Sequence, residues 1–204
     1  MMLSEEQRDF ICELFNIGAG HAAATLNDFV RRRVRLQVPE LRLCRSGTEA
    51  LSWMQQTMEE PRLVVVQMPF SGDMDGSAAL AFTPRSAHLL ASMLGDGDAG
   101  DEADARLDTI GESVLIEVGN VLMNGVMGTL ANILGMEVRY QVPRFLHGGP
   151  EGLIDDGDTA FLVARARLSL SRTEMEGLIV VMFALHSHAD FLRAVDARLE
   201  EAAG

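Results

Sequence analysis

Two pairs of side chains in this sequence have the types and spacing to act together on a polar substrate: Glu13 with Asn16, and Glu117 with Asn120. In each, a carboxylate stands about one helical turn before an amide. The carboxylate only accepts hydrogen bonds, whereas the amide donates and accepts without adding charge. Taken singly, such a pair is an ordinary solvent-facing feature of a helix. Asn is nevertheless a poor mid-helix residue, because its side chain competes for backbone hydrogen bonds. Its recurrence in the middle of two helical segments therefore asks for a reason. Other catalytic routes have little to build on. The chain has no evident nucleophile beside a base, no Gly-x4-Gly-Lys phosphate loop and no metal-ligand cluster. His186 and His188 would share one strand face, but no carboxylate or Cys stands nearby at ligand spacing. No metal site is expected.

The elements that must position these pairs come as a repeat. A shift of 104 residues places Asp9, Glu13, Asn16, Thr25, Leu26, Val34, Arg35, Val38 and Pro39 on Ser113, Glu117, Asn120, Thr129, Leu130, Val138, Arg139, Val142 and Pro143. Each half opens with a capping-box pattern, Ser4-x-x-Gln7 and Thr109-x-x-Glu112. A helix of roughly 20 residues follows in each, to about Val30 and Leu134. Next come extended stretches, Val34 to Leu41 and Met136 to Pro143. Two hairpins are expected beyond them, Leu63–Met68 with Ser77–Phe82 and Ala160–Leu170 with Leu178–Phe183. Closing helices are expected at Ser86–Leu94 and His188–Glu200, and a short helix near Thr48–Met58 has no counterpart. The acidic, glycine-containing stretch 96–108 reads as the linker between a first repeat, 1–95, and a second, 109–204. It lacks the ligand order of a calcium loop.

At about 100° per residue, Asp9, Glu13 and Asn16 fall within roughly 60° of one another, as do Ser113, Glu117 and Asn120. Ile11, Leu14, Phe15, Gly18, Ala22 and Thr25 lie opposite the first ridge. Leu115, Val118, Gly119, Leu122, Val126 and Thr129 lie opposite the second. Both ridges should look outward. The expected fold is α/β (α+β): one compact domain with pseudo-two-fold symmetry, two long helices covering a mixed or antiparallel sheet.

The pattern [Asp/Ser]-x3-Glu-x2-Asn-x22-Pro occurs twice, as Asp9, Glu13, Asn16, Pro39 and as Ser113, Glu117, Asn120, Pro143. It resembles the signature of the CheC, CheX and FliY phosphatases of bacterial chemotaxis. The run Glu13-Leu14-Phe15-Asn16-Ile17-Gly18-Ala19-Gly20 is similar to the CheC segment, with His21 where that family often has Asn. Two intact motifs resemble CheC more than CheX, which keeps one active helix. FliY adds a motor-binding C-terminal domain, which is not expected here after Phe191.

The resemblance implies hydrolysis of the aspartyl phosphate on a CheY-type receiver, which carries its own Mg²⁺ and Lys. No cofactor of the chain's own is implied. An amide suits the task of holding an in-line water, accepting from the water and donating toward phosphoryl oxygens, which assigns Asn16 and Asn120. Glu13 and Glu117 would pair with the receiver's Lys. Asp9 and Ser113 would support the site or its interface, and Pro39 and Pro143 would fix a backbone turn at the end of the strand. The alternative is a non-enzymatic adaptor that grips a receiver or the receptor deamidase CheD.

The bulk properties agree with a protein partner. Net charge is −13, from 30 acidic and 17 basic residues, which opposes binding to nucleic acid or anionic lipid. The basic run Arg31, Arg32, Arg33 and Arg35 reads as a solvated helix end. Cys12 and Cys44 form neither a metal knuckle nor a disulfide framework, so reduced thiols in the cytoplasm are expected. The longest clean apolar run, Leu178–Leu185, is too short to insert in a membrane.

Overall fold

A computed structural model describes residues 3–30, 33–60, 62–94, 109–146, 150–153, 159–170 and 173–203. The linker 96–108, Arg31 and Arg32 lie outside the described residues. In chain order the elements are α1 (Glu5–Val30), β1 (Val34–Cys44), α2 (Gly47–Met58), β2 (Val64–Gly72), β3 (Gly76–Phe82), α3 (Pro84–Leu94) and α4 (Thr109–Leu134). Then follow β4 (Val138–Tyr140), β5 (Arg144–Leu146), a 3-10 turn (Pro150–Leu153), β6 (Thr159–Leu170), β7 (Thr173–Ala184) and α5 (Leu185–Ala203). The fold is α+β.

Seven strands form one sheet in the order β1-β6-β7-β3-β2-β4, with β5 also paired to β2. Every described pairing is antiparallel. The expected hairpins are β2–β3 and β6–β7, and β3 joins β7 at the centre.

Two apolar clusters sandwich the sheet. On one face α1, α3, α4 and α5 cover Leu36, Val66, Met68, Leu80, Leu162 and Ile179. On the other, α2 brings Trp53, Met54 and Met58 onto Val65, Ala79, Phe161, Val163 and Val180. This alternation of neighbours along each strand is what period-two geometry requires when both faces are covered. By length and composition α4 would suffice to cross a membrane. Its apolarity is accounted for here by burial of Leu115, Val118, Leu122, Val126 and Leu130 in the core.

The local signals resolve unevenly. The first capping box forms: Gln7 N donates to Ser4 Oγ at 3.0 Å and Ser4 N to Gln7 Oε1 at 2.9 Å. The second does not, because Thr109 is already helical. Gly135 ends α4 at φ 69°, with Met136 N bonded to Ala131 O at 2.8 Å, the 6→1 closure that favours glycine. Thr25, expected on the covered side, is exposed and turns its hydroxyl back to His21 O at 3.2 Å.

The two long helices meet backbone to backbone. A Cβ at Gly18 would lie 2.6 Å from Val126 Cα, and one at Gly125 would lie 2.6 Å from Ala22 Cβ. His21 Nδ1 and Thr129 Oγ1, 3.1 Å apart, bridge the same contact. Small residues at the crossing set how deeply α1 and α4 seat on one another, and hence how each ridge is presented.

Candidate functional site

Both ridges reach the surface. Asp9 and Glu13 on α1 are exposed, as are Ser113 and Glu117 on α4, while Asn16 and Asn120 are half-buried. Behind them Ile11, Leu14, Leu115 and Val118 are each at most 2% exposed. Arg8 Nη2 lies 3.5 Å from Asp9 Oδ1, an exposed pair that adds little.

The two amides are held in different ways. Asn16 Nδ2 donates to Cys12 O at 3.0 Å and to Val38 O at 2.9 Å, and Asn16 Oδ1 accepts from Val38 N at 2.9 Å. Both amide hydrogens are therefore used, and the side chain staples α1 to β1. Val38 is available because the β1–β6 register shifts between Gln37 and Glu40. At that bulge Pro39, which has no N–H to give the ladder, follows Val38. Pro39 thus lies in mid-strand rather than at the strand's end. The Cys12 thiol also donates to Val38 O, at 3.2 Å. Burial, then the charges of Asp9 and Glu13, push that thiol's pKa up, which keeps it a protonated donor.

The second half lacks this staple. Its expected strand, Met136–Pro143, is broken: β4 ends at Tyr140, Gln141 N turns to Pro69 O at 2.9 Å, and β5 starts at Arg144. Pro143 is buried in the gap, and Val142, the counterpart of Val38, is 83% exposed. Among the described residues Asn120 makes no hydrogen bond to a strand. Its Oδ1 accepts from Asn124 Nδ2 at 2.8 Å, leaving its own Nδ2 without a hydrogen-bond partner among the described residues.

The ridges also differ in charge. Glu6, Asp9 and Glu13 line the first, where Ile110, Ser113 and Glu117 line the second. Ile110 is 66% exposed, an apolar side chain on the same helical line as Glu117. Ser113 turns its hydroxyl back to Thr109 O at 2.8 Å. Arg8, paired with Asp9, offsets part of the first ridge's charge, and Glu112, its counterpart, adds to the second's.

His186 and His188 stand on the helix α5, not on the strand that the pairing assumed. Burial lowers the pKa of His188. Among the described residues no three His, Cys, Asp or Glu side chains are grouped to hold a metal. The motif spacing gives no site role to Asn124, Cys12 or Val38. Asn124 stands four residues beyond Asn120 on the same face and was findable by helical spacing; the Val38 contact depends on a bulge.

A family model described as "Chemotaxis phosphatase CheX" matches residues 64–165. The CheY-P phosphatase CheC of Bacillus subtilis is 28% identical over 142 residues, covering 69% of this chain and 66% of CheC, just under two thirds of that relative's length. Among solved structures, Thermotoga maritima FliY superposes with a TM-score of 0.75 at 20% identity, covering 95% of this chain and 100% of that one. A Borrelia burgdorferi CheX solved in complex with CheY, BeF3 and magnesium gives 0.52 at 17%, covering 83% and 96%. The repeated Glu/Asn ridge on two helices over an antiparallel sheet, the matched family model and these likenesses agree: the chain belongs to the CheC/CheX/FliY superfamily.

Proposed function

We propose that this protein is a cytoplasmic phosphatase that hydrolyses the aspartyl phosphate of a CheY-type response regulator. The observation that carries the reading is the outward pairing of Glu117 with an amide, Asn120, whose Nδ2 is open. A water held in line attacks phosphorus, the bond from phosphorus to the aspartyl oxygen breaks, and the products are the free carboxylate and inorganic phosphate. Asn120 orients the water through the remaining lone pair of Oδ1 and donates from Nδ2 toward a phosphoryl oxygen. Glu117 receives the receiver's Lys and sets the docking angle. The receiver brings its own Mg²⁺ and Lys, so the chain need supply only positioning. Positioning of that kind is worth about 3–5 kcal/mol, or roughly 10²–10⁴ in rate.

Glu13 on the first ridge is equally exposed and offers a second docking point. Asn16 takes part in chemistry there only when its amide leaves Val38. The first ridge therefore contributes the smaller share of turnover.

The test is to mix the purified protein with a phosphorylated CheY-type receiver and Mg²⁺ and to follow loss of the phosphoryl group. Acceleration by the wild type, and its fall by about 10² in Asn120→Ala with receiver binding retained, is the expected result. Binding without acceleration would refute the phosphatase and favour an adaptor, whether for a receiver or for CheD.

A further inference from the structure

Asn120 and Asn124 stand one turn apart on α4, both half-buried, joined by the 2.8 Å hydrogen bond from Asn124 Nδ2 to Asn120 Oδ1. Rotation about the last torsion of an Asn side chain is broad and roughly two-fold, so an amide with no fixed partner presents oxygen or nitrogen outward in either sense. A donor fixed on Oδ1 removes that ambiguity. We propose that Asn124 is a positioning residue for Asn120: it pins the oxygen and leaves Nδ2 facing outward as the donor to a phosphoryl oxygen. The proposal rests on the phosphatase reading of the second ridge and adds to it a residue outside the repeated Glu/Asn motif.

The first half supports this by contrast. Gly20 occupies the position equivalent to Asn124, and a Cβ there would meet nothing within 4 Å. No side chain can hold Asn16 from that direction, and Asn16 is held by β1 instead. Each half thus orients its amide with a different device. Only the helix-borne one leaves a donor hydrogen open, because Asn16 spends both of its own on Cys12 O and Val38 O.

The test compares three substitutions in steady-state dephosphorylation of a CheY-type receiver with Mg²⁺. Asn124→Ala should lower kcat by about 3- to 10-fold, the effect of one hydrogen bond, with KM and Tm unchanged. Asn124→Asp is nearly isosteric but accepts only. It would draw Asn120 Nδ2 inward and reverse the amide, so kcat should fall at least as far. Asn124→Gln, which keeps a donor, should recover part of the loss. Wild-type kcat in Asn124→Asp, or losses that merely track a lower Tm, would overturn the proposal. If the wild type proves inactive, the phosphatase reading fails, and the hydrogen bond is read directly. The Asn124 side-chain NH2 signals in a ¹H–¹⁵N spectrum should shift in Asn120→Ala, and no shift would refute the positioning itself.

Discussion

Replacing Asn16 by Ala separates a structural role from a catalytic one. The substitution removes the two hydrogen bonds to Val38, both at 2.9 Å, and leaves Val38 N–H facing the gap at the bulge. Val38 O keeps the Cys12 thiol at 3.2 Å. Two ordinary hydrogen bonds and one poorly solvated donor sum to about 2–4 kcal/mol. The better helix propensity of Ala returns up to about 0.7 kcal/mol, for a net loss of roughly 1–4. In a chain of this size that lowers Tm by about 3–16 °C. Urea unfolding should show a reduced midpoint at unchanged slope, because the surface exposed on unfolding is the same. Dephosphorylation of the receiver should stay above half of the wild-type rate at a temperature where the variant is folded. An unchanged midpoint together with a rate loss of about tenfold or more would show that the Asn16 amide is open in solution and that the staple is not formed there.

Reversing charge in Glu117→Lys should raise KM for the phosphorylated receiver by about 10-fold or more with a smaller change in kcat, through repulsion of the partner's Lys, as saturation kinetics would show. Gly125→Ala should destabilise by about 1–3 kcal/mol in urea, since the new Cβ would lie 2.6 Å from Ala22 Cβ where two helix backbones meet. Burial pushes the Cys44 thiol from 9.0 to about 11, so in that window the unfolded chain loses a proton the folded one keeps. Stability should be intact below about pH 9 and fall between about 9 and 11. Cys44→Ala should flatten that fall in a pH series of thermal melts.

Much of the fold was legible because it depends on local patterns repeated in the chain. The ridge Asp9, Glu13, Asn16 and its copy Ser113, Glu117, Asn120 follow from helical spacing alone, and the buried residues behind them follow from the same wheel. The Ser4/Gln7 cap rests on contacts three residues apart, and both hairpins join strands adjacent in sequence. Tertiary structure decided what the two copies do with the same motif. Asn16 and Asn120 are the same residue at the same place in the pattern, yet one closes on Val38 and the other stays open. That difference arises far from either Asn in sequence. A bulge at Pro39 keeps β1 continuous beside α1, whereas the matching strand breaks between Tyr140 and Arg144 to follow β2. Helical periodicity fixes which way a side chain points; which backbone groups it meets there is set by strand register, a long-range property that no local pattern encodes.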